Sequence, residues 1–291
     1  MGPDGSPRTP RLSPRRRALL VLVLGSMMAT AGCSMSIEDL PPVMDMPRPV
    51  TDQGNLIFTL WQGSWVAALA VGAAVWGLII WACIFFRRRK GETGLPPQVR
   101  YNLPIEILYT IVPFLMVLTF FYFTARDQAE LYELTDDPDQ TVNVIGYRWS
   151  WTFNYTDEDV YDTGTPAEPP TLVLPEDERV RFDLQSADVI HSFWIPAFLF
   201  KMDAIPGRLN QFEVVPSEQG TFVGKCAELC GVDHARMLFN VQVVSREEYD
   251  EHVERLRAAG QTGQLTTETV NSDAGTSQNT GDQSSRGEDT S

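Results

Sequence analysis

The chain has 291 residues, 43% of them hydrophobic, and a formal net charge of −15. Two long stretches carry almost no charge, while residues 259–291 carry almost no large apolar side chain, which excludes both a wholly soluble protein and a wholly disordered one. Residues 125–258 hold 11 basic and 26 acidic side chains, which excludes nucleic acid as a partner and favours either a basic protein met through electrostatic steering or an acidic face kept for solubility.

Residues 1–32 read as an export signal. Arg11, Arg15, Arg16 and Arg17 precede an apolar run, Ala18 to Met28, that is too short to span a bilayer. The small residues Ala29-Thr30-Ala31-Gly32 then lead to Cys33 and resemble a bacterial lipoprotein processing site, which makes Cys33 a lipidation candidate; the alternative is an ordinary signal or anchor with an incidental thiol. Residues 33–63 are expected to form a short external arm.

Ser64 to Phe86 contains no charge, and Leu103 to Thr124 contains only Glu106. Each run is long enough to cross ~30 Å of hydrocarbon as a helix. The loop between them, residues 87–102, carries Arg87-Arg88-Arg89-Lys90 and Arg100, which places it in the cytoplasm and both flanks outside. Glu106 has two readings: a functional acid inside an apolar span, or a side chain one turn from the end that reaches the interface.

From Thr141 the pattern becomes that of a β domain. Strand-like runs cover 141–147, 171–174, 180–184, 210–215, 220–225 and 238–244, separated by Pro- and Gly-rich turns, and their number suggests a sandwich or barrel. Arg246 to Ala258 fits one closing amphipathic helix, and residues 259–291 have the composition of a disordered tail.

The chemistry gathers in Cys226-Ala227-Glu228-Leu229-Cys230-Gly231-Val232-Asp233-His234-Ala235-Arg236-Met237, with His191 upstream. A Cys226–Cys230 disulfide, a zinc site from Cys226, Cys230, His234 and His191, a blue-copper centre and a dinuclear copper centre all compete. Thiolate, imidazole and thioether together suit copper, and zinc has no use for Met237. Two sulfurs four residues apart on a tight loop can bridge two metals, with His191 and His234 serving one each, and Met237 and the Glu228 carbonyl as weak axial donors.

This segment, Cys-x-Glu-x-Cys-Gly-x-x-His-x-x-Met, closely resembles the copper A loop of subunit II of the haem–copper cytochrome c oxidases. Lys201 to Gln211, Val189 to Trp194 and Gly146 to Trp151 are similar to further segments of that family, and the basic loop and lipid-site candidate look most like its actinobacterial branch. The resemblance implies a two-helix hairpin carrying an all-β, cupredoxin-like Greek-key barrel on the outer face of the cell membrane. It implies that His191, Cys226, Glu228, Cys230, His234 and Met237 bind two copper ions, and that the Glu228 side chain shares Mg2+ with subunit I. It further implies that Trp149 is an exposed aromatic where electrons arrive, that Glu106 stands at the entrance of a proton pathway, and that Asp203 and Arg208 contact subunit I. The implied partners are the other oxidase subunits and a cytochrome c, and the implied role is to pass electrons to the haem-bearing subunit that reduces O2 and pumps protons. Arg148 stands where the family commonly has Gln.

Two rivals from other classes are weighed against this. A quinol oxidase subunit II shares the hairpin and barrel but lacks the copper ligands, all of which are present here. A free-standing copper carrier needs no pair of spanning helices. No Cys-x-x-Cys-His occurs, so a fused cytochrome c domain is excluded, and the third histidine, His252, lies on the closing helix.

Overall fold

The structure, a computed structural model, describes residues 46–272 apart from 89–90, 92–93 and 96–97. The expected signal peptide, Cys33, the first part of the arm (33–45), part of the basic loop and the far tail lie outside the described residues.

Two long helices come first: α1, Asp52–Phe85, and α2, Leu103–Leu131. Each is long and apolar enough to cross a membrane. Thr51 caps α1 by accepting from Gly54 N at 3.0 Å, with Asp52 in the first turn where the helix dipole favours an acid. In α2 the Glu106 carboxylate accepts from Asn102 N at 2.9 Å, so it stabilises the start of its own helix.

Both helices are longer than hydropathy indicates. α1 begins twelve residues before Ser64, where part of the external arm was expected, and α2 runs on to Leu131 rather than Thr124. The added turns leave the apolar window but gain partners on the β domain. Val50 N donates to Ala197 O at 3.1 Å, Asp52 N to Val215 O at 3.1 Å, and the Gln53 side chain accepts from Val215 N at 2.8 Å.

The β domain is two facing five-stranded sheets. The strands are β1 (Gln140–Tyr147), β2 (Ser150–Tyr155), β3 (Val160–Thr163), β4 (Thr171–Pro175), β5 (Val180–Ser186), β6 (His191–Ile195), β7 (Phe200–Ala204), β8 (Asn210–Val214), β9 (Gly220–Cys226) and β10 (Leu238–Val244). One sheet has the order β3-β2-β1-β5-β8 and the other β4-β10-β9-β6-β7. β1 lies parallel to β5 and β4 to β10; the remaining pairs are antiparallel. The chain switches sheets repeatedly, so the two layers close over one core, a cupredoxin-like β architecture.

That core is aromatic. Phe193 and Phe239 stack at 4.9 Å, and Trp151 meets both edge-on at 5.6 Å. A Cβ on Gly224 would come within 2.0 Å of the Phe239 ring, so the ring lies across a gap that only glycine leaves in β9. All six residues of β2 are buried, which removes the alternation by which a strand is recognised, and β2 is absent from the strand-like runs for that reason.

Helix α3, Arg246–Ala258, closes the domain behind a capping box formed by Ser245 and Glu248, and buries Tyr249, His252, Val253 and Leu256. The chain beyond it corrects the expectation of a structureless tail from residue 259. Thr262 bridges Val160, Asn154 exchanges two hydrogen bonds with Leu265 at 2.9 and 3.0 Å, and Val270 is buried. This segment covers the β3 edge of its sheet.

Candidate metal centre

The centre forms where β6, β9 and the β9–β10 connection meet. β9 ends at Cys226, whose N–H donates to Met237 O at 3.0 Å, so residues 227–236 form a loop closed at its base. Ala227 N donates to Ser192 O at 3.0 Å and Cys226 sits in register with Phe193, which ties the loop to the strand carrying His191. Within the loop Gly231 has φ +131°, a left-handed conformation that side chains rarely adopt, and a short 3-10 turn presents His234.

This geometry brings six donors together. The Cys226 and Cys230 sulfurs lie 3.9 Å apart, His191 Nδ1 is 3.9 Å from Cys226 Sγ, and His234 Nδ1 is 3.5 Å from Cys230 Sγ. Met237 Sδ lies 3.7 Å from Cys230 Sγ and the Glu228 carbonyl 3.2 Å from Cys226 Sγ. His191 and Met237 are fully buried, whereas the Glu228 side chain points to the surface. A disulfide has sulfurs about 2.05 Å apart, so both thiols here are free. A buried thioether among the donors fits a soft metal such as copper better than zinc.

The electrostatics fit a metal as well. Burial raises the Cys230 thiol, and the Cys226 charge beside it raises it further. Burial also opposes the Cys226 thiolate, but the contact with His191 and the backbone hydrogen bonds at Ser192 and Glu228 together outweigh this and the thiol is lowered. Two such neighbours can both be ionised only with cations between them.

Sequence reasoning missed Asp188, which lies three residues before His191. Its Oδ1 is 2.8 Å from His191 Nε2. That contact fixes the Nε2–H tautomer and leaves Nδ1 free toward the sulfurs. Burial works against the Asp188 carboxylate, but the hydrogen bond from His191 and those from the Val189 and Arg148 amides outweigh it and hold the group at about 2. Gly146 was also missed: a Cβ there would stand 3.1 Å from the His191 ring and from Trp151. An acid at a short spacing before a ligand histidine is the one local signal that would have found the first.

Trp149, expected as an exposed aromatic, is half-buried. Its Nε1 donates to Cys230 O at 3.3 Å and its ring lies against Gly231. Leu229 and Val232 are the exposed apolar residues on either side, at 77% and 88% exposure. Asp203, opposite Ser192 in the β6–β7 pairing, and Arg208 are both exposed and line a groove with Tyr132 from the end of α2. Glu106 is in the first turn of α2.

Residues 167–244 match the family described as "Cytochrome C oxidase subunit II, periplasmic domain". A probable cytochrome c oxidase subunit 2 from Streptomyces avermitilis is 50% identical over 90% of this chain and 94% of its own length. The chain belongs to the cytochrome c oxidase subunit 2 family. A more distant member, cytochrome c oxidase subunit 2 of Mycobacterium bovis, is 32% identical over 82% of each chain. Among solved structures, the periplasmic domain of subunit II of cytochrome oxidase from Bradyrhizobium japonicum is similar, with 33% identity, a TM-score of 0.40 and coverage of 43% of this chain and 99% of that one.

Proposed function

We propose that this chain is the subunit at which electrons enter an aerobic respiratory oxidase: it takes them from a cytochrome c and delivers them to the haem-bearing subunit I, which reduces O2 to water and pumps protons. The observation that carries this reading is the pair of free thiols 3.9 Å apart, each with its own imidazole nitrogen within 3.9 Å. These residues, with Met237 and the Glu228 carbonyl, would hold two copper ions sharing one electron, a centre that would accept and release electrons with little rearrangement of its ligands.

The chain's own residues supply the rest. His191 and His234 offer Nδ1, Met237 and the Glu228 carbonyl offer weak donors, and Asp188 keeps the His191 proton on Nε2. The aromatic core and the hydrogen-bonded loop base hold these groups rigid and keep water out. Trp149 gives the incoming electron a path from the surface to Cys230 through its hydrogen bond to that residue's carbonyl. The acidic outer domain attracts a basic donor.

Further roles follow from position. The outward Glu228 carboxylate is available to hold Mg2+ with subunit I, and Asp203 and Arg208 face the same subunit. Glu106, in the first turn of α2 beside the basic loop, receives protons from the cytoplasmic side. The hairpin spans the cell membrane with the β domain outside, and Cys33 is the lipidation candidate.

The test uses the full-length chain in its oxidase, purified in detergent, with copper counted and the paramagnetic resonance spectrum recorded. Two coppers per chain sharing one unpaired electron are expected. Cys230→Ser is expected to lose that signal and abolish cytochrome-driven oxygen uptake while the β domain remains folded. A copper-free wild-type chain with full activity would move the protein to a purely structural subunit.

A further inference from the structure

Asp188 is a buried carboxylate with four donors around it, divided evenly between its two oxygens. Oδ1 takes Val189 N at 2.6 Å and faces His191 Nε2 at 2.8 Å. Oδ2 takes Arg148 N at 2.8 Å and Arg148 Nε at 3.0 Å. Two donors on each oxygen fix the plane of the carboxylate, and with it the rotation of the His191 ring. The two backbone amides supply dipoles. Of these four donors only the Arg148 guanidinium carries a full positive charge.

The exposures differ sharply along this line of contacts. The His191 side chain is fully buried and that of Asp188 is 8% exposed, whereas that of Arg148 is 44% exposed. Arg148 is also the residue next to Trp149, whose ring lies on the loop. A charged side chain at the surface is thus connected through one carboxylate to a buried metal ligand. Only Nε of the guanidinium is used by Asp188, so its terminal nitrogens form no hydrogen bond among the described residues.

We propose that Arg148 is a positioning residue that sets the donor strength of His191 through Asp188, and so tunes the reduction potential of the copper centre. This rests on the copper reading above. A carboxylate that accepts the Nε2 proton of an imidazole pushes electron density toward Nδ1 and makes it a stronger metal ligand. A guanidinium on the other carboxylate oxygen draws that density back. With Arg148 in place His191 is a weaker donor, the oxidised metal is less favoured, and the potential is higher than Asp188 alone would set.

The chemistry of the side chains allows a clean test. Glutamine carries its amide nitrogen the same number of bonds from the backbone as arginine carries Nε, so Arg148→Gln removes the charge and keeps a donor for Oδ2. Arg148→Lys keeps the charge. In the copper-loaded full-length chain, Arg148→Gln is expected to lower the midpoint potential, and Arg148→Lys to lie nearer to wild type than the Gln variant does. The nitrogen hyperfine coupling of one bound imidazole should rise in Arg148→Gln while that of the other stays unchanged. In an Asp188→Asn background the same substitution should shift the potential by less than half as much, because its route to His191 has been cut.

An unchanged potential in Arg148→Gln would overturn the proposal. So would an equal change at both imidazoles, which marks a charge acting through space rather than through Asp188, and which can be read even where Asp188→Asn does not load copper. If the wild-type chain shows no two-copper signal, it is the copper reading that fails, and this inference falls with it.

Discussion

The hairpin and the β domain use similar apolar side chains in opposite ways. Within the apolar spans of α1 and α2 they face outward, with Trp76 66% and Phe121 69% exposed, whereas Phe153 and Phe239 in the sheets are completely buried. The helices satisfy their backbone internally and leave their side chains for lipid and partner subunits. The β domain satisfies its backbone between strands and must fill its own interior. A change in the sheets therefore meets a fixed neighbour, while the same change in the helices meets a fluid one. The two regimes join at β8 and the turn after it, where both helix ends are fastened.

The largest effect on stability is expected at that junction. Glu213 in β8 is buried and accepts from Arg181 Nε at 3.0 Å and Nη2 at 2.6 Å, and from Thr135 N at 3.1 Å, just beyond α2. Arg181 also donates to the Thr135 carbonyl. Removing the carboxylate leaves a largely buried guanidinium without its counter-ion, and breaking such a pair costs about 3–5 kcal/mol. Glu213→Ala should lower the unfolding temperature of the β domain and free the end of α2, read by calorimetry and by hydrogen exchange at residues 132–136. Unchanged exchange there would mean that the two regimes are not coupled through β8.

Little of this junction was legible in the sequence, and the reason is physical. Hydropathy marks where a helix is apolar, so it stopped at Ser64, although Gln53 and the turns around it stay helical through bonds to the β domain. The loop from Cys226 to Met237 was legible because its donors are close in sequence and their identity is chemically unusual. His191 was found because a histidine beside a strand is rare in a chain with three of them. Arg148 and Glu213 act through partners 40 and 78 positions away, which only the fold brings together, whereas Asp188 stands three residues before His191 and carried a local signal. The packed segment after α3 was hidden because Leu265 and Val270 are two apolar residues in a polar stretch.

A pair of glycines separates the two regimes more directly. Gly224→Ala, in the strand that ends in Cys226, puts a methyl group 2.0 Å from the Phe239 ring. Overpacking of this kind costs about 1–3 kcal/mol. At Gly77, in the middle of α1, an added methyl meets nothing within 4 Å. Gly77→Ala should leave stability and oxidase assembly unchanged to within about 1 kcal/mol, the size of the helix-propensity difference. Denaturant unfolding of the two variants checks this, and equal losses would contradict the distinction between fixed and fluid neighbours.

The smallest effect concerns acid, and it too belongs to the packed regime. His252 lies on the inner side of α3, its ring 5.8 Å from that of Tyr155, and its Nε2 has no hydrogen-bond partner among the described residues. Burial lowers its pKa from 6.5 to about 4, with the Arg255 charge adding to the effect. The folded chain therefore keeps this imidazole neutral over a range in which the unfolded chain protonates it. Stability is fully present above pH 6.5 and is lost as the pH falls toward 4, by about 1–2 kcal/mol once partial access of water to the site is allowed for. His252→Phe preserves an aromatic ring against Tyr155 and removes the proton. The difference in unfolding free energy between wild type and His252→Phe should shift by that amount in favour of the variant between pH 6.5 and 4.5. A flat difference over that range would show that α3 lifts from the barrel readily enough to hydrate His252, and would place this helix nearer to the fluid regime than its buried face indicates.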